Sequence, residues 1–211
     1  MKNLLIIGAR GFGREVYTLS TQTKDHNKEW VVKGFLDDKA DALEGFENYP
    51  SIISSVEDYI VKDDDVFICA LGDTRQKKKY IDMITKKGGV FANVIHPTSI
   101  IGTNTKIGFG VIICPFTYVS NDIKIGNFVT IQTHSAVGHD TIIGDYAQIN
   151  ALTFFGGYSR IGEGSTINPG AMVAPKKKVG ENTTIGLNSS VVRDIESNCT
   201  AYGNPAKKIF Y

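Results

Sequence analysis

VSNDIKIGNFVTIQTHSAVGHDTIIGD, residues 119–145, carries an aliphatic residue at every sixth position: Val119, Ile125, Ile131, Val137 and Ile143. The same step reaches back to Ile95 and on to Val191, seventeen aliphatic or aromatic positions without an insertion or deletion. Glycine follows nine of them, as at Gly126, Gly138 and Gly144. Four residues after the apolar position the side chain is small or β-branched, as at Thr117, Ser135, Ala147 and Ala171, with Lys177 the clear exception. A period of six matches neither an amphipathic helix, at about 3.6, nor a simple alternating strand. It fits short strands joined by tight turns, each sending one large apolar side chain inward. Glycine beside that residue is expected to supply the turn conformations that a Cβ obstructs.

Hexapeptide repeats of this kind build parallel β-helices, in which stacked repeats share one continuous core. Three hexads per coil would stack every third hexad with a rise of roughly 4.8 Å. The unbroken register predicts that no long loop leaves the coils, so an active site there must use side chains on the faces or a neighbouring subunit. Lys177, at an inward position, predicts a local distortion.

The residues before the repeat read differently. LLII (4–7) is followed by GARGFGREV, which reads as strand, glycine-rich turn and a helix from about Phe12 to Ser20. Further strands are expected in Trp30–Asp38 and Val66–Gly72, with a helix in RQKKKYIDMITKKG after the latter. Strands alternating with helices predict a small parallel sheet, a Rossmann-like half, with ligands at the strand C-termini. The unit ends near NVIHPTS, where Pro97 breaks the pattern, which gives domains of 1–94 and 95–211. It has room for about half of a dinucleotide fold, so a nucleotide-linked ligand fits better than NAD.

Composition bounds the function further. Over 211 residues the formal net charge is +1, no footprint for a nucleic acid polymer or an anionic membrane. The start, MKNLLIIGARG, is too short in apolar residues for a signal-peptide core, and no stretch approaches the roughly 18 of a membrane span. Three well-separated cysteines fit a reducing cytoplasm. A soluble, cytoplasmic protein is expected.

The ordered set GARGFGREV, FLDD, ALGDTRQKKK, IHPTSIIG, VGHDTIIGD and YGNPAKKI resembles the bacterial hexapeptide-repeat acetyltransferases of the sialic acid O-acetyltransferase type. Within that family the chain is most similar to the N-acetyltransferases of nucleotide-linked 4-amino-4,6-dideoxy sugars, which serve lipopolysaccharide or capsule biosynthesis. The resemblance covers essentially the whole chain. It implies a left-handed parallel β-helix, a homotrimer and acetyl-CoA bound in the groove between subunits. It also implies a nucleotide sugar held by Gly8, Arg10, Gly11, Gly13, Asp37, Asp38 and Gly72. The family's catalytic histidine falls on His139, with Asp140 as its carboxylate neighbour. Cofactor contacts are expected at Gln148, Gly157, Pro175 and Lys178, no metal being required. Relatives often carry a second histidine at the position of Gln148, which can hydrogen-bond but cannot titrate near neutrality.

Amide formation from a thioester needs an uncharged amine and a base to take its proton, and an imidazole suits that task near neutral pH. A carboxylate on the other ring nitrogen would fix the tautomer. Adjacency does not establish this for Asp140, because neighbours on a strand point to opposite faces. A backbone N–H near Gly157, one coil on from His139, is the candidate oxyanion donor. Sugar O-acetylation and a non-catalytic nucleotide-sugar scaffold stay open. A zinc enzyme with His134 and His139 as ligands would want a third histidine near Thr98, but His96 is off register by two.

Overall fold

The structure, a computed structural model, describes residues 1–209. It divides into two compact units, Met1–Pro97 and Thr98 onward. The boundary lies three residues beyond the expected 94/95 division. A short strand, β5 (Val94–Ile95), packs on the first helix and leaves Ile95, the first residue of the six-step series, in the first unit.

The first unit is built on β1 (Lys2–Ile7), α1 (Gly11–Gln22), β2 (Trp30–Leu36), β3 (Ile52–Ser54), β4 (Asp65–Cys69) and α2 (Thr74–Lys86). Its four strands are parallel in the order β3-β2-β1-β4. Central β1 has neighbours on both edges and helices beside it, so its run Leu4–Ile7 is unbroken apolar and at most 1 % exposed. Helix α1 buries Val16 and Leu19, and α2 buries Ile81 and Ile84. Asp73 caps α2, its Oδ1 accepting the Gln76 N–H at 2.8 Å. β3 is an element the sequence pattern did not foretell. The chain runs outward from β1 through β2 to β3 and returns to the other side of β1 as β4. This reversal opens a crevice at the C-terminal end of β1.

The second unit is a parallel β-solenoid of two-residue strands, one every six residues, as the repeat predicts. Strands between Ile100 and Val191 pair in register with the third strand along, for example Ala136 with Phe154 and Val137 with Phe155, and the last turn is two residues shorter, Thr184 pairing with Thr200. Val119, Ile131, Val137, Ile149, Phe155, Ile167 and Val173 are fully buried in a shared interior. Buried hydroxyls fill the small positions and are satisfied by the neighbouring coil. Ser165 Oγ donates to the Gly180 carbonyl at 2.6 Å, and Thr183 Oγ1 to that of Glu196 at 2.8 Å.

The hexad glycines do a different job from the one expected. None of the nine has positive φ; the left-handed corner positions are instead filled by residues such as Asp122, Asp140 and Tyr158, at φ near 60°. The glycines are needed because coils stack too closely for a Cβ: at Gly144 it would lie 2.6 Å from the Glu163 backbone N. Lys177 causes no distortion either. Arg160 pairs with Lys178 in unbroken register, and the Lys177 carbonyl accepts the Arg160 N–H at 2.9 Å.

The outward positions differ from face to face. One ladder aligns Ile100, Tyr118, Ala136, Phe154, Met172 and Ser190, whose large apolar members are 46–60 % exposed. A second ladder aligns Lys106, Lys124, Ile142, Arg160 and Lys178. The third carries Thr130, Gln148, Thr166 and Thr184.

Candidate active site

The apolar ladder leads directly to the histidine corner. Val137 points into the core, Gly138 lies flat against the next coil, and His139 and Asp140 form the bend. Asp140 adopts φ 59°, and that left-handed turn brings two sequence neighbours together that an extended strand would hold apart. His139 Nδ1 lies 2.8 Å from Asp140 Oδ2. The carboxylate accepts, so Nδ1 carries a proton, and in the neutral ring Nε2 is then the atom with the lone pair. The His139 and Asp140 side chains are 58 % and 37 % exposed, which leaves the imidazole open to a substrate.

Three neighbours define where the ring can lie. The residues in His139's register position are Asn121, Gly157 and Pro175, one and two coils away. Asn121 accepts the Asp140 N–H at 3.1 Å, and His139's own carbonyl accepts the Tyr158 N–H at 2.9 Å. Gly157 faces the imidazole so closely that a Cβ would sit 2.6 Å from Nε2. Its N–H donates to no backbone carbonyl among the described residues, whereas Gly156 and Tyr158 on either side both do. Tyr158 stands edge-on to the ring, centroids 5.3 Å apart. Pro175 packs against Gly156, where a Cβ would meet the proline ring at 2.6 Å.

Lys178 is exposed on the basic ladder with Arg160, one face round from the histidine corner. Gln148 is not brought to this corner. It lies on the third ladder, 1 % exposed, its Nε2 donating to Asn150 Oδ1 at 3.0 Å. His134 occupies another corner, its Nδ1 2.9 Å from Thr133 Oγ1 and its ring against Phe116. No group of three or more His, Cys, Asp or Glu side chains able to hold a metal occurs among the described residues.

The first unit has its own cleft, about 240 Å³, at the end of β1. Gly8, Arg10, Asp37 and Asp38 line it, together with Leu36, Val56, Leu71, Gln76 and Tyr80. Gly8 needs its positive φ of 96° there, and Gly13 lets α1 sit directly on the Gly8 carbonyl. Gly11 and Gly72 have open space where a Cβ would be, so neither is required by packing. Asp37 stitches the turn together: Oδ2 accepts the Ala9 N–H at 2.8 Å and Oδ1 the Lys39 N–H at 2.9 Å. Asp38 accepts the Val56 N–H at 3.2 Å and the Tyr80 hydroxyl at 2.5 Å. That bond to the carboxylate, ahead of burial, pushes the Tyr80 phenol up to about 12. Tyr80 escaped the sequence reading, because nothing marks one tyrosine of a basic helix as facing the end of a strand so much earlier in the chain. Tyr158 was findable: it follows Gly157, already placed one coil from His139.

Known proteins resemble each of the two units. Residues 3–84 match the family model of the PglD N-terminal domain. Over 117 residues, 54 % of this chain, the sequence is 28 % identical to the UDP-N-acetylbacillosamine N-acetyltransferase of Bacillus subtilis (strain 168). The matched part is 51 % of that protein, so the match spans about half the length of the curated relative. The acetyltransferase domain of PglB from Neisseria gonorrhoeae FA1090, solved with acetyl coenzyme A, is 26 % identical with a TM-score of 0.87, covering 99 % of both chains. WeeI from Acinetobacter baumannii AYE is 27 % identical with a TM-score of 0.69, covering 99 % of this chain and all of its own. PerB from Caulobacter crescentus, solved with CoA and GDP-perosamine, shares the fold at 23 % identity and a TM-score of 0.89, covering 100 % of this chain and 98 % of its own. Residues 3–84 thus match the model of the PglD N-terminal domain, and the chain shares the fold of the solved PglB acetyltransferase domain.

Proposed function

We propose that the chain is an acetyl-CoA-dependent N-acetyltransferase acting on the 4-amino group of a nucleotide-linked 4-amino-4,6-dideoxy sugar. The observation that carries this is the His139–Asp140 pair, with Nδ1 held at 2.8 Å on an exposed ring whose Nε2 faces Gly157. The neutral amine attacks the thioester carbonyl carbon, and its lone pair forms the new C–N bond. Nε2 of His139 takes the proton that the nitrogen then loses, and Asp140 stabilises the imidazolium. The carbonyl oxygen becomes an oxyanion, for which the undirected Gly157 N–H is the donor. Collapse expels the CoA sulfur, which takes up the proton held by His139.

Pro175 and Lys178 are the proposed cofactor contacts on this unit, together with Gly157. Gln148 drops out of that set because burial and its bond to Asn150 engage its amide. Gly8, Arg10, Gly11, Gly13, Asp38 and Gly72 hold the nucleotide sugar, and Asp37 shapes the turn that does so. Three copies bury the Ile100–Tyr118–Phe154–Met172 ladder against one another, which puts the bordering histidine corner at a subunit interface. The demand for acetyl-CoA supports a cytoplasmic location, and the exposed apolar ladder supports a homotrimer.

Incubation with acetyl-CoA and UDP-, dTDP- and GDP-linked 4-amino sugars, followed by thiol release, tests the reading. Turnover on one of them, reduced ~10²–10⁴-fold in kcat by His139→Ala, is the expected result. Turnover on sialic acids with none on any amino sugar would assign the chain to O-acetylation instead.

A further inference from the structure

The nucleotide is the open part of that function, and the relatives differ in it: one is named for a UDP sugar, another was solved with a GDP sugar. We propose, resting on the nucleotide-sugar reading above, that the Asp38–Tyr80 pair makes the cleft of the first unit select a uracil or thymine nucleotide over a guanine nucleotide.

The cleft offers both kinds of surface that a nucleotide needs. Arg10 and Gly8, at the glycine turn, suit the phosphates. Leu36, Val56 and Leu71 supply apolar walls fit for a base, with the Asp38 carboxylate beside them. Guanine presents two adjacent donors, N1–H and the exocyclic amine, and a free carboxylate accepts both in a parallel fork. Asp38 is not free. Its Oδ1 holds the Val56 N–H at 3.2 Å and its Oδ2 the Tyr80 hydroxyl at 2.5 Å, so one protein donor occupies each oxygen. A fork would have to crowd a second donor onto each oxygen or displace the short phenol bond.

The imide edge of uracil or thymine asks for less. It offers one donor, N3–H, which a single remaining lone pair on either oxygen can take. The carbonyls that flank N3–H need donors, and the side-chain amide of Gln76, which also lines the cleft, is of the right type. The two bases therefore differ in what they demand of one preoccupied carboxylate: guanine needs the last lone pair of both oxygens at once and in one plane, the imide edge needs only one of them.

Tyr80→Phe tests this, since it removes the hydroxyl from Oδ2 and keeps the ring. Calorimetric titration of the full chain with UDP, dTDP and GDP should give at least one pyrimidine nucleotide binding about tenfold or more tighter than GDP. In Tyr80→Phe, with its melting transition intact, that ratio should shrink to about threefold or less, chiefly through tighter GDP binding. GDP binding as tightly as UDP and dTDP to the unaltered chain overturns the proposal and leaves the nucleotide-sugar reading standing. An unchanged ratio in Tyr80→Phe removes Tyr80 from the selection. Binding of none of the three overturns the nucleotide-sugar reading, and the selection with it.

Discussion

Replacing Gly157 by alanine asks how tightly the base must be held. The new Cβ would lie 2.6 Å from His139 Nε2, 2.7 Å from Cε1 and 3.1 Å from Cδ2, and ordinary contact begins at 3.4 Å. The imidazole must therefore retreat by about 0.8 Å, the difference between 3.4 and 2.6 Å. It has somewhere to go, being 58 % exposed, so the fold should absorb the change with a loss under about 0.5 kcal/mol. The chemistry should not. A displacement near 1 Å in a reacting group costs roughly 10²-fold in rate, or about 2.7 kcal/mol in the barrier. It also stretches the 2.8 Å bond to Asp140 that sets the tautomer. The assay is thiol release from acetyl-CoA with a saturating acceptor, alongside a denaturant melt. A kcat within threefold of the parent, in a protein of unchanged stability, would refute the idea that Gly157 keeps space for a catalytic imidazole.

Gly144→Ala should behave in the opposite way, costing about 1–3 kcal/mol in a urea melt. Its Cβ would meet the Glu163 backbone N at 2.6 Å, which cannot swing aside. Phe154→Lys, at a site 46 % exposed on the apolar ladder, should convert the proposed three-copy assembly to single chains in sedimentation velocity. Stability should also change with alkaline pH. Burial lowers the Lys77 ammonium to about 8 and pushes the Cys69 thiol up to about 12. Between the folded Lys77 value and the unfolded one of 10.5 the unfolded chain binds more protons, so stability rises with pH. Cys69 acts against this above its unfolded value of 9, where the folded chain holds the extra proton. The net gain from about pH 8 to 9 is on the order of 0.5–1 kcal/mol. In Cys69→Ala the urea midpoint should go on rising to about pH 10, and a flat profile in both proteins would contradict the assignment.

The six-residue step carried the solenoid in full, because one buried side chain per short strand is a constraint that composition cannot imitate. The reason for its glycines was hidden, since close approach between coils involves residues a full coil apart that no local pattern displays. β3 was invisible for another reason: three residues at a sheet edge, just after Pro50, carry too little alternation to register. At the candidate site, His139 and Asp140 were legible as neighbours. Their convergence was not, because it depends on the left-handed φ of Asp140, a corner position otherwise taken by residues as unlike as Asn104, Phe128 and Lys176. The aspartates after β2 show the limit most sharply. Both could be named from FLDD, but only the hydrogen bonds separate Asp37, tied to the turn backbone, from Asp38, tied to a distant helix through Tyr80.

The offset between paired strands, three hexads at every step from Ile100 to Val191, also governs how the solenoid can assemble. Every new coil in that stretch closes a loop of the same length onto the coil before it, so the entropy of closure does not grow as the chain lengthens. Assembly of such an array is a nearest-neighbour process: a seed of two or three coils forms, and later coils zip onto it. A lesion then acts according to where it falls. Damage in an end coil frays that end, whereas the same damage at Gly144 splits the array into segments that must each nucleate alone. The histidine corner lies among the interior coils, where the fewest fraying events reach it.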